Sequence, residues 1–281
     1  MASPAYSLKG KTVLVTGAAR GIGAEAARQL HARGHELALV GLEPAELEAR
    51  AAELGARAAA FECDVTDRDA LDRVVGEIVT RFGGIDVVIA NAGVATVGTV
   101  ATLDPQEFER VVEVNLLGVY RTVKAALPQV VERRGYVLVV ASLAAALHGG
   151  MMANYAMAKA GAEAFANSLR QELAPQGTAV GCAYFGFIDT DMVRNAFEHP
   201  ATPDAAERAR RGAMLKPVPV ERAAQAIVRG ILMPLIERRQ LRDAGSAEAL
   251  ELAAQQPVGV PERGRQSDAA RSAQDSIPSS R

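Results

Sequence analysis

The sequence predicts a single three-layer α/β/α domain on a doubly wound parallel sheet, and three observations carry that expectation. Six short runs are almost continuously aliphatic or β-branched, the mark of strands covered on both faces. Longer segments with helical spacing of apolar positions lie between them. No internal repeat or shift in composition divides the core of the 281-residue chain. Right-handed crossovers between parallel strands then place helices on both sides of the sheet.

The elements follow in order. Thr12–Thr16 (TVLVT) is the first predicted strand and Gly21–Arg33 the first helix. Glu36–Val40 is the second strand, followed by a helix over Pro44–Leu54 with proline at its start, where no backbone donor is needed. Ala58–Glu62 and Arg68–Phe82 form the third pair, Asp86–Ala90 and the long helix Pro105–Val131 the fourth. Tyr136–Val140 leads to Asn154–Gln171, and Ala179–Ala183 is the sixth strand. Val220–Leu232 reads as a helix and Ala247–Gln255 as a short one. No seventh strand is legible, because Leu235-Ile236 is too short and follows Pro234. From Pro257 the chain is rich in Pro, Gly, Ser and charge, so residues 257–281 are predicted to be a disordered tail on a domain spanning 1–256.

Composition narrows the function. A net charge of -2 argues against nucleic acid or anionic lipid as partner. No apolar run reaches the ~18 to 20 residues of a membrane span, and no signal-peptide core precedes the first strand. A cytoplasmic location is expected. Cys63 and Cys182 lie in or beside strands and read as small buried hydrophobes, so neither a disulfide nor a metal site is expected.

Between the first strand and first helix stands Thr16-Gly17-Ala18-Ala19-Arg20-Gly21-Ile22-Gly23. Glycines at 17, 21 and 23 let the backbone turn tightly and approach a pyrophosphate seated on the helix N-terminus, as in a Rossmann-type dinucleotide fold. The TGxxxGxG spacing resembles the short-chain dehydrogenase/reductase family, and the resemblance runs from about Lys11 to Leu232. It implies that Asp64-Val65 contact the adenine and that Asn91-Ala92-Gly93 stand beside the adenosine ribose. Read singly, Asp64 is a helix cap and Asn91 a turn residue. At the end of the second strand Gly41-Leu42-Glu43 replaces the family's usual Asp or Arg signals. Glu43 opposes a 2′-phosphate and favours NAD(H), while Arg20 favours the phosphate and keeps NADP(H) open.

Tyr155-Ala156-Met157-Ala158-Lys159 puts a phenol and an ammonium four apart on one helix face. The positive charge is expected to lower the phenol pKa towards neutrality, suiting an acid for hydride-transfer chemistry. By the resemblance, Tyr155 is the general acid/base and Lys159 tunes it and binds the nicotinamide ribose. Ser142, thirteen residues before Tyr155, holds the substrate oxygen. Asn115, in EVNLLG, anchors a water that relays protons. The bland alternatives are a helix cap for Ser142 and a kink residue for Asn115. Phe185-Gly186-Phe187-Ile188-Asp189-Thr190 matches the family's PGxIxT element with Phe for Pro. Gly186 allows close backbone approach, and Ile188 and Thr190 are thereby implied to hold the nicotinamide carboxamide.

Leu143, Ala144, His148, Met152, Phe187 and Met192 are the expected substrate pocket, mostly apolar and adaptable. Residues 192–216 read as a charged lid carrying Arg208, Arg210 and Arg211. The expected activity is an NAD(P)-dependent oxidoreductase acting on a hydrophobic ketone or secondary alcohol, assembled as a homodimer or homotetramer. Rival readings are an epimerase or dehydratase on the same scaffold, and a cofactor-binding sensor or scaffold without turnover.

Overall fold

Six strands pair in parallel as one sheet: β1 (Thr12–Thr16), β2 (Glu36–Gly41), β3 (Ala58–Glu62), β4 (Val87–Ala90), β5 (Tyr136–Val140) and β6 (Ala179–Ala183). The structure is a computed structural model and describes residues 10–199 and 217–231. The strand order β3-β2-β1-β4-β5-β6 reverses direction between β1 and β4. Ligands of open α/β sheets bind at such a reversal, beyond the carboxyl ends of the strands.

Alternation along each strand feeds two cores. Leu14, Val40, Val88 and Val137 face α3 (Arg68–Phe82), α5 (Gly118–Glu132) and α6 (Ala153–Leu173), where Leu71, Ile78, Val123 and Ala162 bury against them. Val13, Val15, Leu39, Ile89 and Leu138 face the opposite layer, which holds α1 (Gly21–His31), α2 (Pro44–Leu54) and the helix over residues 220–231. Leu30, Leu47, Ile227 and Ile231 fill that side. Local signals set the helix ends. The Asp67 side chain accepts from Ala70 N–H at 3.0 Å to start α3, and Gly83 ends it at φ 80°. Asp104 accepts from Gln106 N–H at 2.7 Å and Pro105 opens α4 (Pro105–Val112).

The structure differs from the expected elements in three places. The long helix over Pro105–Val131 is divided into α4, a π-turn over Glu113–Leu117, and α5. At the turn Gly118 N–H bonds the Glu113 carbonyl, five residues back. Gly118 also lets α5 close on Val65, since a Cβ there would stand 2.7 Å from Val65 Cγ2. Helix α1 stops at His31 rather than Arg33, and the chain turns through Gly34 at φ 91°. Asp86 lies just before β4, where its N–H still donates to the Thr12 carbonyl at 3.0 Å and its carboxylate accepts from Thr12 N–H at 3.0 Å and from Lys11 Nζ at 2.6 Å.

After β6, α7 covers Asp191–Glu198, and Ile188 forms an isolated parallel bridge with Val218. The remainder of the expected lid, with Arg208, Arg210 and Arg211, lies outside the described residues, as do Leu235-Ile236, Ala247–Gln255 and the tail over 257–281. Among the described residues no helix is long and apolar enough to cross a membrane.

Candidate active site

The glycine loop is tied to the strand across the reversal point. Thr16 Oγ1 accepts from the N–H groups of Asn91 and Ala92 at 3.0 and 3.1 Å. Asn91 Nδ2 donates to the carbonyls of Thr16 and Gly17 at 2.9 and 3.3 Å. The Asn91 amide nitrogen thus holds the loop. Gly17 and Gly21 take φ of +65° and +60°, a region costly for other residues. Gly23 meets a steric demand instead: a Cβ there would lie 2.3 Å from the Gly17 carbonyl oxygen and 2.6 Å from Asn91 Nδ2. Gly17, Arg20, Gly21, Ile22, Asn91, Ala92 and Gly93 line one cleft; Gly23 packs behind it.

Two ion pairs border the same cleft. Arg20 Nη2 stands 3.0 Å from Glu43 Oε1, so the two residues expected to pull the cofactor choice in opposite directions engage each other. Asp64 and Val65 also line it. Burial works against the Asp64 charge, yet the Thr66 hydrogen bonds and the Arg110 guanidinium hold its carboxyl below the ordinary range.

Helix α6 brings Tyr155 and Lys159 to this cleft on one face. Lys159 is buried, 4% exposed, and Nζ donates to the Val140 carbonyl at 2.8 Å. Burial lowers its pKa to about 8. The Tyr155 phenol departs from expectation. Burial pushes its pKa up, and the Ser142 hydroxyl pulls against that rise. The ammonium lies over the ring face, 5.7 Å from its centroid, so its charge meets the π-system.

Ser142 caps a short 3-10 turn over Leu143–Ala145, as the bland reading held, with Oγ accepting from Ala144 N–H at 3.1 Å and donating to the Phe185 carbonyl at 3.2 Å. It nonetheless acts on the Tyr155 phenol, pulling its pKa downward against burial. Asn115 is fully buried in the π-turn. Its Oδ1 accepts from Val94 N–H and its Nδ2 donates to Val94 O, both at 2.8 Å, which clamps the loop after Gly93. Neither Ser142 nor Asn115 lines the cleft itself.

Residues 11–201 match the family model described as short chain dehydrogenase. The chain belongs to the short-chain dehydrogenases. The 3-oxoacyl-(acyl-carrier-protein) reductase FabG of Escherichia coli (strain K12) is 36% identical over 191 residues, covering 67% of this chain and 78% of that protein. Nodulation protein G of Rhizobium meliloti (strain 1021) is 34% identical over 188 residues, 66% of this chain and 77% of that protein. A solved short-chain dehydrogenase/reductase of the glucose/ribitol dehydrogenase type from Brucella melitensis superposes with a TM-score of 0.72 at 29% identity, covering 79% of this chain and 89% of that one.

At the other end of this short-chain dehydrogenase's cleft, Gly186, Ile188, Thr190 and Met192 contribute to the wall. The Thr190 methyl would lie 3.4 Å from a Cβ on Gly21, so the segment after β6 closes against the glycine loop. Phe185 lines the cleft, and its carbonyl receives Leu143 N–H at 2.9 Å as well as the Ser142 hydroxyl. Of the expected substrate pocket only Met192 borders this cleft. Leu143 is 46% exposed, Ala144 and Met152 are half-buried, and the Phe187 ring meets Phe197 of α7 in a tilted contact with centroids 5.0 Å apart. His148 Nε2 lies 3.1 Å from the Ala145 carbonyl. Val193, from the segment expected as a lid, lines the cleft as well, and Arg110, which the sequence did not single out, joins it. The available signal for Arg110 was its place five residues before Asn115 in one helical run.

Proposed function

We propose that this short-chain dehydrogenase is an NAD(P)(H)-dependent oxidoreductase acting on the carbonyl or secondary alcohol of a largely hydrophobic small molecule. One observation carries the reading: Tyr155 and Lys159 line the same cleft as the Gly17–Gly21 loop. A dinucleotide fits the residues present. The loop's positive-φ glycines leave its backbone bare. Lys159 is a buried ammonium with three donors, one of them bonded to Val140. Gly17, Gly21 and Ile22 would hold the pyrophosphate, Asp64, Val65 and Asn91-Ala92-Gly93 the adenosine, and Gly186, Ile188, Thr190 and Lys159 the nicotinamide riboside. The bound nicotinamide supplies or accepts the hydride. Glu43 favours NAD(H), and its pairing with Arg20 leaves NADP(H) accommodated.

The chain's own groups handle the proton. With its pKa raised, Tyr155 is a phenol at neutral pH, ready to donate to a substrate oxygen that gains charge during reduction. Ser142 would hold that oxygen by turning its hydroxyl from the Phe185 carbonyl. Lys159 compensates the phenolate left behind, and Asn115 supports a water route by which the proton returns from solvent. Reduction of a 3-oxoacyl group, named for the FabG relatives, is one member of this substrate class. Leu143, Ala144, His148, Met152, Phe187 and Met192 would enclose the substrate. Half-exposed apolar residues on the two long helices, Tyr120 on α5 and Met157 on α6, suit a homodimer or homotetramer, and the cytoplasm suits the composition.

Parallel titration with NADH and NADPH, followed by nicotinamide fluorescence, tests the reading directly. Saturable binding of at least one is expected; a folded sample that bound neither would sink it.

A further inference from the structure

At the end of β3 the Asp64 carboxylate is met from two sides. Oδ1 accepts from the Thr66 N–H and the Thr66 hydroxyl, both at 2.8 Å. Oδ2 accepts from Arg110 Nη2 at 3.1 Å, while Arg110 Nη1 donates to Thr66 Oγ1 at 3.3 Å. Arg110 belongs to α4, so the contact ties that helix to a loop 46 residues earlier in the chain. The same helical run, five residues on, clamps Val94 through Asn115. One run therefore pins both the loop after β3 and the loop after β4, and both loops line the cleft.

An ionised carboxylate can only accept hydrogen bonds, at about four lone-pair sites. Thr66 occupies two of them on Oδ1 and Arg110 one on Oδ2, which leaves one acceptor site on a residue of the cleft wall. One guanidinium contact to Asp64 and one to Thr66, which itself bonds Asp64, fix the rotamer in which that site is offered. Arg110 lines the cleft as well, and its planar cation suits the face of an aromatic ring.

We infer that Arg110 is a positioning residue for the purine end of the nucleotide, orienting Asp64 to accept from the exocyclic amino group of adenine. This rests on the dinucleotide reading above. A 6-oxo purine such as hypoxanthine presents an acceptor at that position, and an acceptor facing a carboxylate leaves both unpaired. Arg110 thereby makes the site select 6-amino over 6-oxo purines. An ordinary surface ion pair, with side chains 45% and 29% exposed, would stabilise the loop slightly and leave base choice unchanged.

Calorimetry with ADP-ribose and its hypoxanthine counterpart separates these cases without relying on turnover. The unaltered protein is expected to prefer ADP-ribose. Arg110→Met keeps the apolar stem and should weaken ADP-ribose roughly fivefold to tenfold, with little change for the hypoxanthine form, so the preference narrows. Arg110→Lys should fall between, and it carries the same comparison if Arg110→Met does not fold. Equal weakening of both ligands, or no weakening of either, would overturn the assignment of Arg110 while leaving the dinucleotide reading intact. If the unaltered protein bound neither ligand, the dinucleotide reading would fall and this inference with it.

Discussion

The Lys159 ammonium lies 5.7 Å from the centroid of the Tyr155 ring and donates at 2.8 Å to the Val140 carbonyl. It therefore faces the π-system of the residue it is expected to tune, and burial dominates the titration of both groups. Four predictions follow from this arrangement and its surroundings.

Removing the phenol oxygen tests the acid directly. Tyr155→Phe should cut kcat by about 10²- to 10⁴-fold, the usual contribution of general acid catalysis. Nucleotide affinity, measured by fluorescence titration, should stay within about threefold. Retained turnover would remove Tyr155 from its role.

The buried ammonium costs stability. Lys159 has a folded pKa of about 8 against the ordinary 10.5, so the unfolded chain binds more protons between those values. Its contribution therefore rises as pH climbs through that window, and below pH 8 the full cost is present. Lys159→Met should abolish activity yet raise the unfolding free energy at pH 7 by up to roughly 3 kcal/mol. The advantage should shrink towards pH 10.5 in denaturant melts. A variant no more stable at pH 7 would contradict this.

Cofactor choice should respond to the Arg20–Glu43 pair. Glu43→Gln frees the guanidinium and removes a carboxylate that repels a 2′-phosphate. The NADPH-to-NADH affinity ratio should rise about tenfold, equivalent to ~1.4 kcal/mol, and Arg20→Met should move it the other way. An unchanged ratio in both variants would show that the pair has no part in selection.

Gly23→Ala introduces a methyl where Gly17 O and Asn91 Nδ2 already stand within 2.6 Å. Alanine ordinarily favours a helix, so any loss must come from that contact. We expect destabilisation of about 1–3 kcal/mol with nucleotide affinity reduced at least about tenfold. A thermal melt and a titration matching the unaltered protein would remove the steric argument.

Much of the fold was legible because its signals are local. Short β-branched runs such as TVLVT and YVLVV, bounded by turn residues, read as buried strands, and Pro44, Asp67 and Gly83 mark helix ends locally. The π-turn at Glu113–Leu117 was not legible, because the apolar spacing on either side is unbroken. The contacts made there, Asn115 with Val94 and Gly118 beside Val65, join residues distant in sequence.

The site divides along the same line. Tyr155 and Lys159 reach one cleft because a helix turn places residues four apart together, and the glycine loop turns as its composition requires. The sequence alone determined those groups and their approximate neighbourhood. Tertiary structure decided what each group meets: Arg20 with Glu43, Arg110 with Asp64, Asn115 with Val94, and burial raising the Tyr155 pKa against the expected lowering. Hydrogen bonds, ion pairs and desolvation depend on distance in space, and spacing along the chain carries no record of them.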